Sequence, residues 1–133
     1  EKKAVTLLKA FSEMVKVSPS GYAGLMAGLD FALGPSYELL ITGGRDQPDT
    51  AGMIEAVHRS YNPNMVVLLK PAGGGSEKAY RQELQSIADF TEPFPASAKK
   101  ASAYLCRDFS CESPVYSTDE ILELLDGSNK KSE

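Results

Sequence analysis

The chain has 133 residues, enough for one domain with a buried core, and its 42% hydrophobic and 24% charged residues are ordinary for a globular protein. Its net charge is −4, and its 14 lysines and arginines are scattered or paired; with no basic stripe interleaved with aromatics, the composition argues against a nucleic-acid partner. Apolar runs such as MVVLL are far too short to span a bilayer, so no membrane partner is expected either.

The chain begins at Glu1 inside a helical pattern, without an initiator methionine or a signal peptide, and is expected to be a piece of a longer protein or a processed chain. Residues 3–17 read as a helix whose apolar stripe is Val5, Leu8, Phe11 and Val15. SPSG interrupts it, and a second helix is expected from Ser20 to Leu33, with Ser20 as its cap and Tyr22, Leu25, Met26, Leu29 and Leu33 as its stripe. Ala23, Gly24, Ala27 and Gly28 leave its opposite side thin enough for another backbone to approach. Gly34-Pro35 stops the helix.

YELLITGG and MVVLLK then read as short strands, the second apolar on both faces as in a parallel sheet. Between them, Asp46 and Asp49 resemble a capping pair ahead of a helix carrying Met53, Ile54, Val57 and Tyr61, which completes a βαβ unit. PAGGGSEK predicts a solvated loop, followed by a more polar helix from Ser76. SAYLC is a third strand, reached through the proline-broken TEPFPASAKKA, and its direction is left open. Ser117 and Glu120 stand in capping-box register before Ile121, Leu122, Leu124 and Leu125 of a closing helix. The expected fold is α/β: an N-terminal helical hairpin (1–34) packed on a small domain (35–127), followed by a frayed tail (128–133). The small domain's sheet is read as three-stranded and largely parallel, with helices on both faces.

Few motifs carry chemistry. TGGRDQPD could cradle a phosphate, but two carboxylates in the first helical turn repel an anion, so a turn-and-cap role is favoured. GGGSEK lacks the lysine followed by serine or threonine of a P-loop. His58, the only histidine, reads as an ordinary helix residue, and no catalytic constellation, metal set or cofactor motif is complete. Cys106 and Cys111 are the only cysteines, too few for a disulfide scaffold and compatible with a cytoplasmic thiol protein. C-x4-C matches neither a zinc knuckle nor a C-x-x-C redox motif. Two structural thiols are the favoured reading, Cys106 in the core and Cys111 in the loop beyond beneath Phe109 or the last helix, and a redox pair is the rival.

Tyr104-Leu105-Cys106, Phe109, Cys111, Pro114 and the following Asp119-Glu120 with leucines resemble the C-terminus of the YyaL-type thioredoxin-domain family, the relatives of spermatogenesis-associated protein 20. GLDFALGPSYELLITG is similar to the segment that joins the family's last helical hairpin to a small strand. The resemblance implies a parent with a thioredoxin-like domain, then a six-hairpin α/α toroid like those of carbohydrate enzymes, then a segment such as this one. It assigns no catalytic residue here. The expected function is therefore a non-catalytic accessory domain whose partner is the rest of its parent, itself a thioredoxin-like or sugar-active enzyme. Weak self-association through the hairpin stripe is expected as well. The alternatives are a thiol redox module using Cys106 and Cys111, and a small-ligand site at the carboxyl ends of the strands.

Overall fold

The computed structural model describes residues 2–108 and 110–130, without the side chains of 128–130. It divides into two compact units, residues 1–36 and 37–133.

The first unit is a pair of helices, α1 (Lys2–Val17) and α2 (Ala23–Leu33), joined by a 3-10 turn at Pro19–Tyr22. Its seam is aromatic. The Phe11 and Tyr22 rings lie 6.0 Å apart, and the Tyr22 hydroxyl donates to Met14 Sδ at 3.3 Å. Ser20 does not cap α2: Pro19 starts the 3-10 turn instead, and Tyr22 takes the N-cap position without a side-chain bond. The stop is as expected. Gly34 has φ 71°, a conformation that costs glycine little, and its amide donates to the Asp30 carbonyl.

The second unit is an α/β sandwich built on a four-stranded mixed sheet. Its strands are β1 (Tyr37–Gly43), β2 (Met65–Pro71), β3 (Ser102–Arg107) and β4 (Ser110–Cys111), in the order β2-β1-β3-β4. The helices are α3 (Pro48–Arg59), α4 (Ser76–Ile87) and α5 (Thr118–Lys130). Residues 131–133 of the expected tail lie outside the described residues, and α5 runs over its first three. The capping box of α5 forms as read: Glu120 Oε2 accepts from the amides of Tyr116 and Ser117, and Ser117 Oγ accepts from the Glu120 amide.

Strand pairing corrects the largely parallel, three-stranded sheet. β1 pairs with β2 in parallel, but β3 runs antiparallel to β1, and β4 antiparallel to β3. Two side chains account for the reversal. Lys70, near the end of β2, donates from Nζ to the carbonyls of Thr91, Glu92 and Phe94 at 2.7–2.8 Å. Asp49 Oδ2, at the start of α3, accepts from the Ala101 amide at 2.7 Å. Both hold the chain after α4 at the end of the sheet where β1 and β2 finish. The next strand must start there and run back.

Asp49 is consequently a tether and not half of a capping pair. Its other oxygen accepts from the Thr50 amide, while Gln47 occupies the N-cap position. The amide of Ala101 holds the Asp49 carboxyl below the usual carboxylate range.

Alternation along the strands sorts two cores. On one face Leu39, Ile41, Ala103 and Leu105 pack with Met53 and Val57 of α3 and with Ile121 and Leu125 of α5. On the other, Leu40, Tyr104 and Cys106 are covered by Phe90 and Phe94. Leu39, Leu40 and Ile41 are wholly buried, and each such side chain contributes about 2 kcal/mol of burial free energy. Among the described residues no helix is long and apolar enough to cross a membrane.

Candidate functional site

The turn after β3 is where the two cysteines meet. Arg107 ends β3 and Ser110 begins β4, leaving two residues for the reversal. Asp108 adopts φ 51°, the left-handed conformation that aspartate tolerates better than most residues. Phe109, expected to cover Cys111, lies outside the described residues. The reversal sets Cys106 directly opposite Cys111. Their sulfurs form a disulfide, with Cα atoms 3.9 Å apart.

The reading as two separate thiols therefore fails, and so does its placement of Cys111 in the loop beyond β3, since Cys111 is in β4; its placement of Cys106 in the core holds. A C-x4-C spacing carries the signal for this outcome. Across a two-residue hairpin, residues five apart face each other one position back from the turn, a geometry that spacing alone does not distinguish from a loop.

Cys106 is 2% exposed and Cys111 half-buried. Tyr104 is buried on the same face, its ring 4.6 Å from that of Phe94. Pro114 lies half-buried just before the bridge that pairs Val115 with Ala103. Backbone hydrogen bonds also hold this edge. Glu112 donates to the Leu105 carbonyl, and Ala103 and Val115 exchange two backbone hydrogen bonds. So short a loop removes only about 2 kcal/mol of unfolded-state entropy when closed.

Glu38 is the residue that sequence reasoning missed. It stands opposite Cys106 across β1 and β3. Burial raises its pKa, a backbone hydrogen bond partly offsets this, and the Asp108 carboxylate raises it further. Nothing in the sequence marks it, because only the antiparallel register brings it to the cysteines. Arg107 faces away, over the Tyr37 ring, with Nε 3.3 Å from Asp108 Oδ2.

The carboxyl ends of β1 and β2 form a second grouping. Arg45 lies over the Tyr80 ring, 5.0 Å from its centroid, and 4.0 Å from Glu77. Among the described residues, the buried Glu77 Oε2 has no hydrogen-bond partner. Lys70 borders a small cleft with Arg81, Gln85 and Glu92. Burial first, and Arg81 second, lower its pKa, yet its three protons all have carbonyl acceptors, so it is a brace. His58 is exposed on α3, as read from the sequence. Among the described residues no group of histidine, cysteine, aspartate and glutamate could hold a metal ion.

Comparison with known proteins rests on whole-chain similarity. No family model matches, and no solved structure matches significantly. Spermatogenesis-associated protein 20 of Homo sapiens is 28% identical over 123 residues, and that of Rattus norvegicus 25% identical over 123 residues. The protein of the same name from Mus musculus is 27% identical over 127 residues. Each match covers 92% of this chain but only 15% of the relative. The chain is thus similar along nearly its whole length to one segment of spermatogenesis-associated protein 20, as its cysteine motif implied.

Proposed function

We propose that the chain is a non-catalytic accessory domain of a longer protein, held to the rest of that protein through its N-terminal helical unit. One observation carries this reading: neither α1 nor α2 buries a single residue. The expected stripe is only half resolved by the hairpin itself, with Leu8, Phe11 and Val15 half-buried and Val5 47% exposed. A second row, Leu7, Ala10, Met14 and Val17, recurs at helical spacing and is exposed throughout. On α2, a Cβ added at Gly24 or Gly28 would meet nothing within 4 Å. An apolar face of this extent, with open space beside its glycines, is a surface for another helix.

The relatives are several times longer than this chain, so the occupant is the remainder of the parent. On the family plan implied by the resemblance, the hairpin closes an α/α toroid that follows a thioredoxin-like domain, and turnover belongs to those parts. The test uses the whole parent protein. Amide exchange over residues 3–33 should be slow in the native protein and fast after Leu7→Glu with Met14→Glu. Equal exchange in both would remove the reading. Concentration-dependent dimers of this chain alone, unaccompanied by protection in the parent, would assign the face to a second copy instead. Two alternatives rest on other residues: a small-ligand site beside Arg45, Glu77 and Tyr80, and thiol chemistry at Cys106 and Cys111.

A further inference from the structure

The disulfide shares its sheet row with a carboxyl. Glu38 of β1 is the partner of Cys106, and Cys106 is the partner of Cys111. Directly opposite residues of antiparallel strands project from one face with Cβ atoms about 5 Å apart. Glu38, Cys106 and Cys111 therefore form a line from the central strand to the sheet's edge. On the other side of Glu38 the row ends in Val66 of β2, which is 39% exposed. Phe90 and Phe94 cover Leu40, Tyr104 and Cys106, while Glu38 and Cys111 are both half-buried.

We propose that Cys106–Cys111 is a thiol–disulfide exchange site for an external dithiol, in which Cys111 is the sulfur attacked and Glu38 passes a proton to the departing Cys106 sulfur.

Exposure assigns the two sulfurs. A thiolate attacks one sulfur from the side opposite the other, and Cys111 is the more accessible residue of the two, half-buried where Cys106 is 2% exposed. The first thiolate of the dithiol bonds to Cys111 Sγ as the Cys106–Cys111 bond breaks, and the electron pair leaves on Cys106 Sγ. A thiolate buried there is poorly solvated, so protonation favours its departure. The Glu38 carboxyl supplies that proton and becomes a carboxylate. The second thiol of the reagent, once deprotonated, then attacks the reagent sulfur held on Cys111. It closes the reagent's own disulfide and releases the Cys111 thiolate, which takes a proton from water, while Glu38 regains its proton from the solvent that accepted the second thiol's proton. The protein pair gains two electrons and two protons overall, and the dithiol loses them. The reverse sequence reduces an external disulfide and re-forms Cys106–Cys111.

Burial keeps Glu38 protonated to higher pH than an ordinary glutamate, and the Asp108 carboxylate acts in the same direction. Arg107, which precedes the turn, lies over Tyr37 on the opposite face and is paired with Asp108. The backbone bonds at Glu112 and Val115 keep the edge in place once the disulfide opens, so exchange does not require unfolding. This site is independent of the docking role of the helical unit.

The experiment follows reduction of the native oxidised protein by dithiothreitol between about pH 5 and about pH 8, with alkylation, mass detection, and rates divided by thiolate concentration. The wild-type rate per thiolate should rise toward acid as Glu38 gains its proton, and Glu38→Gln should be flat. In denaturant the two proteins should be reduced at the same rate, which separates proton donation from a folding defect. Glutathione, trapped by acid and mapped by peptide, should be found on Cys111. Parallel pH profiles in the two proteins, glutathione on Cys106, or a disulfide that opens only on unfolding would each overturn the proposal.

Discussion

Replacing Lys70 by methionine tests why the sheet is mixed. The ammonium donates to three carbonyls, those of Thr91, Glu92 and Phe94. Methionine keeps the apolar stem but removes every donor. The Glu92 acceptor is exposed and water can replace the lost bond, so that contact costs little. The other two acceptors are part-buried, and Thr91 is 2% exposed. Each lost charge-donated bond there costs about 1.5 kcal/mol, and relief of the lysine's own desolvation returns about 1 kcal/mol, leaving a net loss of about 2 kcal/mol. With an m-value of about 1.3 kcal/mol/M, the urea midpoint should fall by about 1.5 M. Amide exchange should accelerate most in residues 89–101, the segment that Lys70 braces, and less in β1. Lys70→Arg should recover only part of the loss, because a planar fork cannot converge three donors as an ammonium does. A midpoint unchanged within about 0.3 M, or acceleration spread evenly over the sheet, would show that the connection is positioned by other forces.

Gly43→Ala should destabilise by about 2 kcal/mol in the same urea assay, because the new Cβ collides with Thr50 Oγ1 and lies 3.2 Å from the Ala101 Cβ. Gly24→Ala and Gly28→Ala should instead raise the stability of the helical unit by about 0.5–1 kcal/mol each, since the added methyl meets nothing; a loss of stability would mean that the α2 surface is closed. Asp49 has a folded pKa below its unfolded value of 3.8, so its contribution is present above that pH and is lost as pH falls through the lower folded value; Asp49→Asn should be less stable than wild type at neutral pH, with the difference shrinking in acid titrations below pH 3.8. Glu38 has the opposite sign: its folded pKa is raised above 4.5, so wild type should lose stability as pH climbs from 4.5 through the folded value, and Glu38→Gln should not.

Much of this fold was readable from the chain, and the failures share a cause. The strands read from YELLITGG, MVVLLK and SAYLC each end within a residue of the observed strands because apolar runs and breakers are local signals. The α5 capping box and the Gly34 stop were equally local. The direction of β3 was not, since it depends on Lys70 and Asp49 reaching residues 21 or more positions away. β4, only two residues long, offers no period to detect. Ser20 and Asp46 failed as caps because Pro19 and Asp49 found other roles in the same few residues. At the candidate site, both cysteines were singled out, while Glu38 is visible only after the register is known.

The position of the disulfide within the second unit bears on what it is for. The larger core lies on the opposite face, where α3 and α5 pack on Leu39, Ile41, Ala103 and Leu105. On the disulfide's own face, the Lys70 brace is at the far end of the strands, near Thr42 and Ser102, whose hydroxyls share a 2.8 Å hydrogen bond. The link therefore joins β3 to the edge strand β4, away from both. A staple placed for stability would close a long loop or join distant elements, because the entropy removed grows with loop length. This one joins adjacent strands already tied by backbone hydrogen bonds at Leu105, Ala103 and Val115. A chemical role is consistent with the opposite choice: a short loop, a half-buried Cys111 beside a buried Cys106, and a larger core that lies on the other face. Loss of the bond should leave the core on the other face intact, which is the condition an exchange site must meet to cycle between two oxidation states without unfolding.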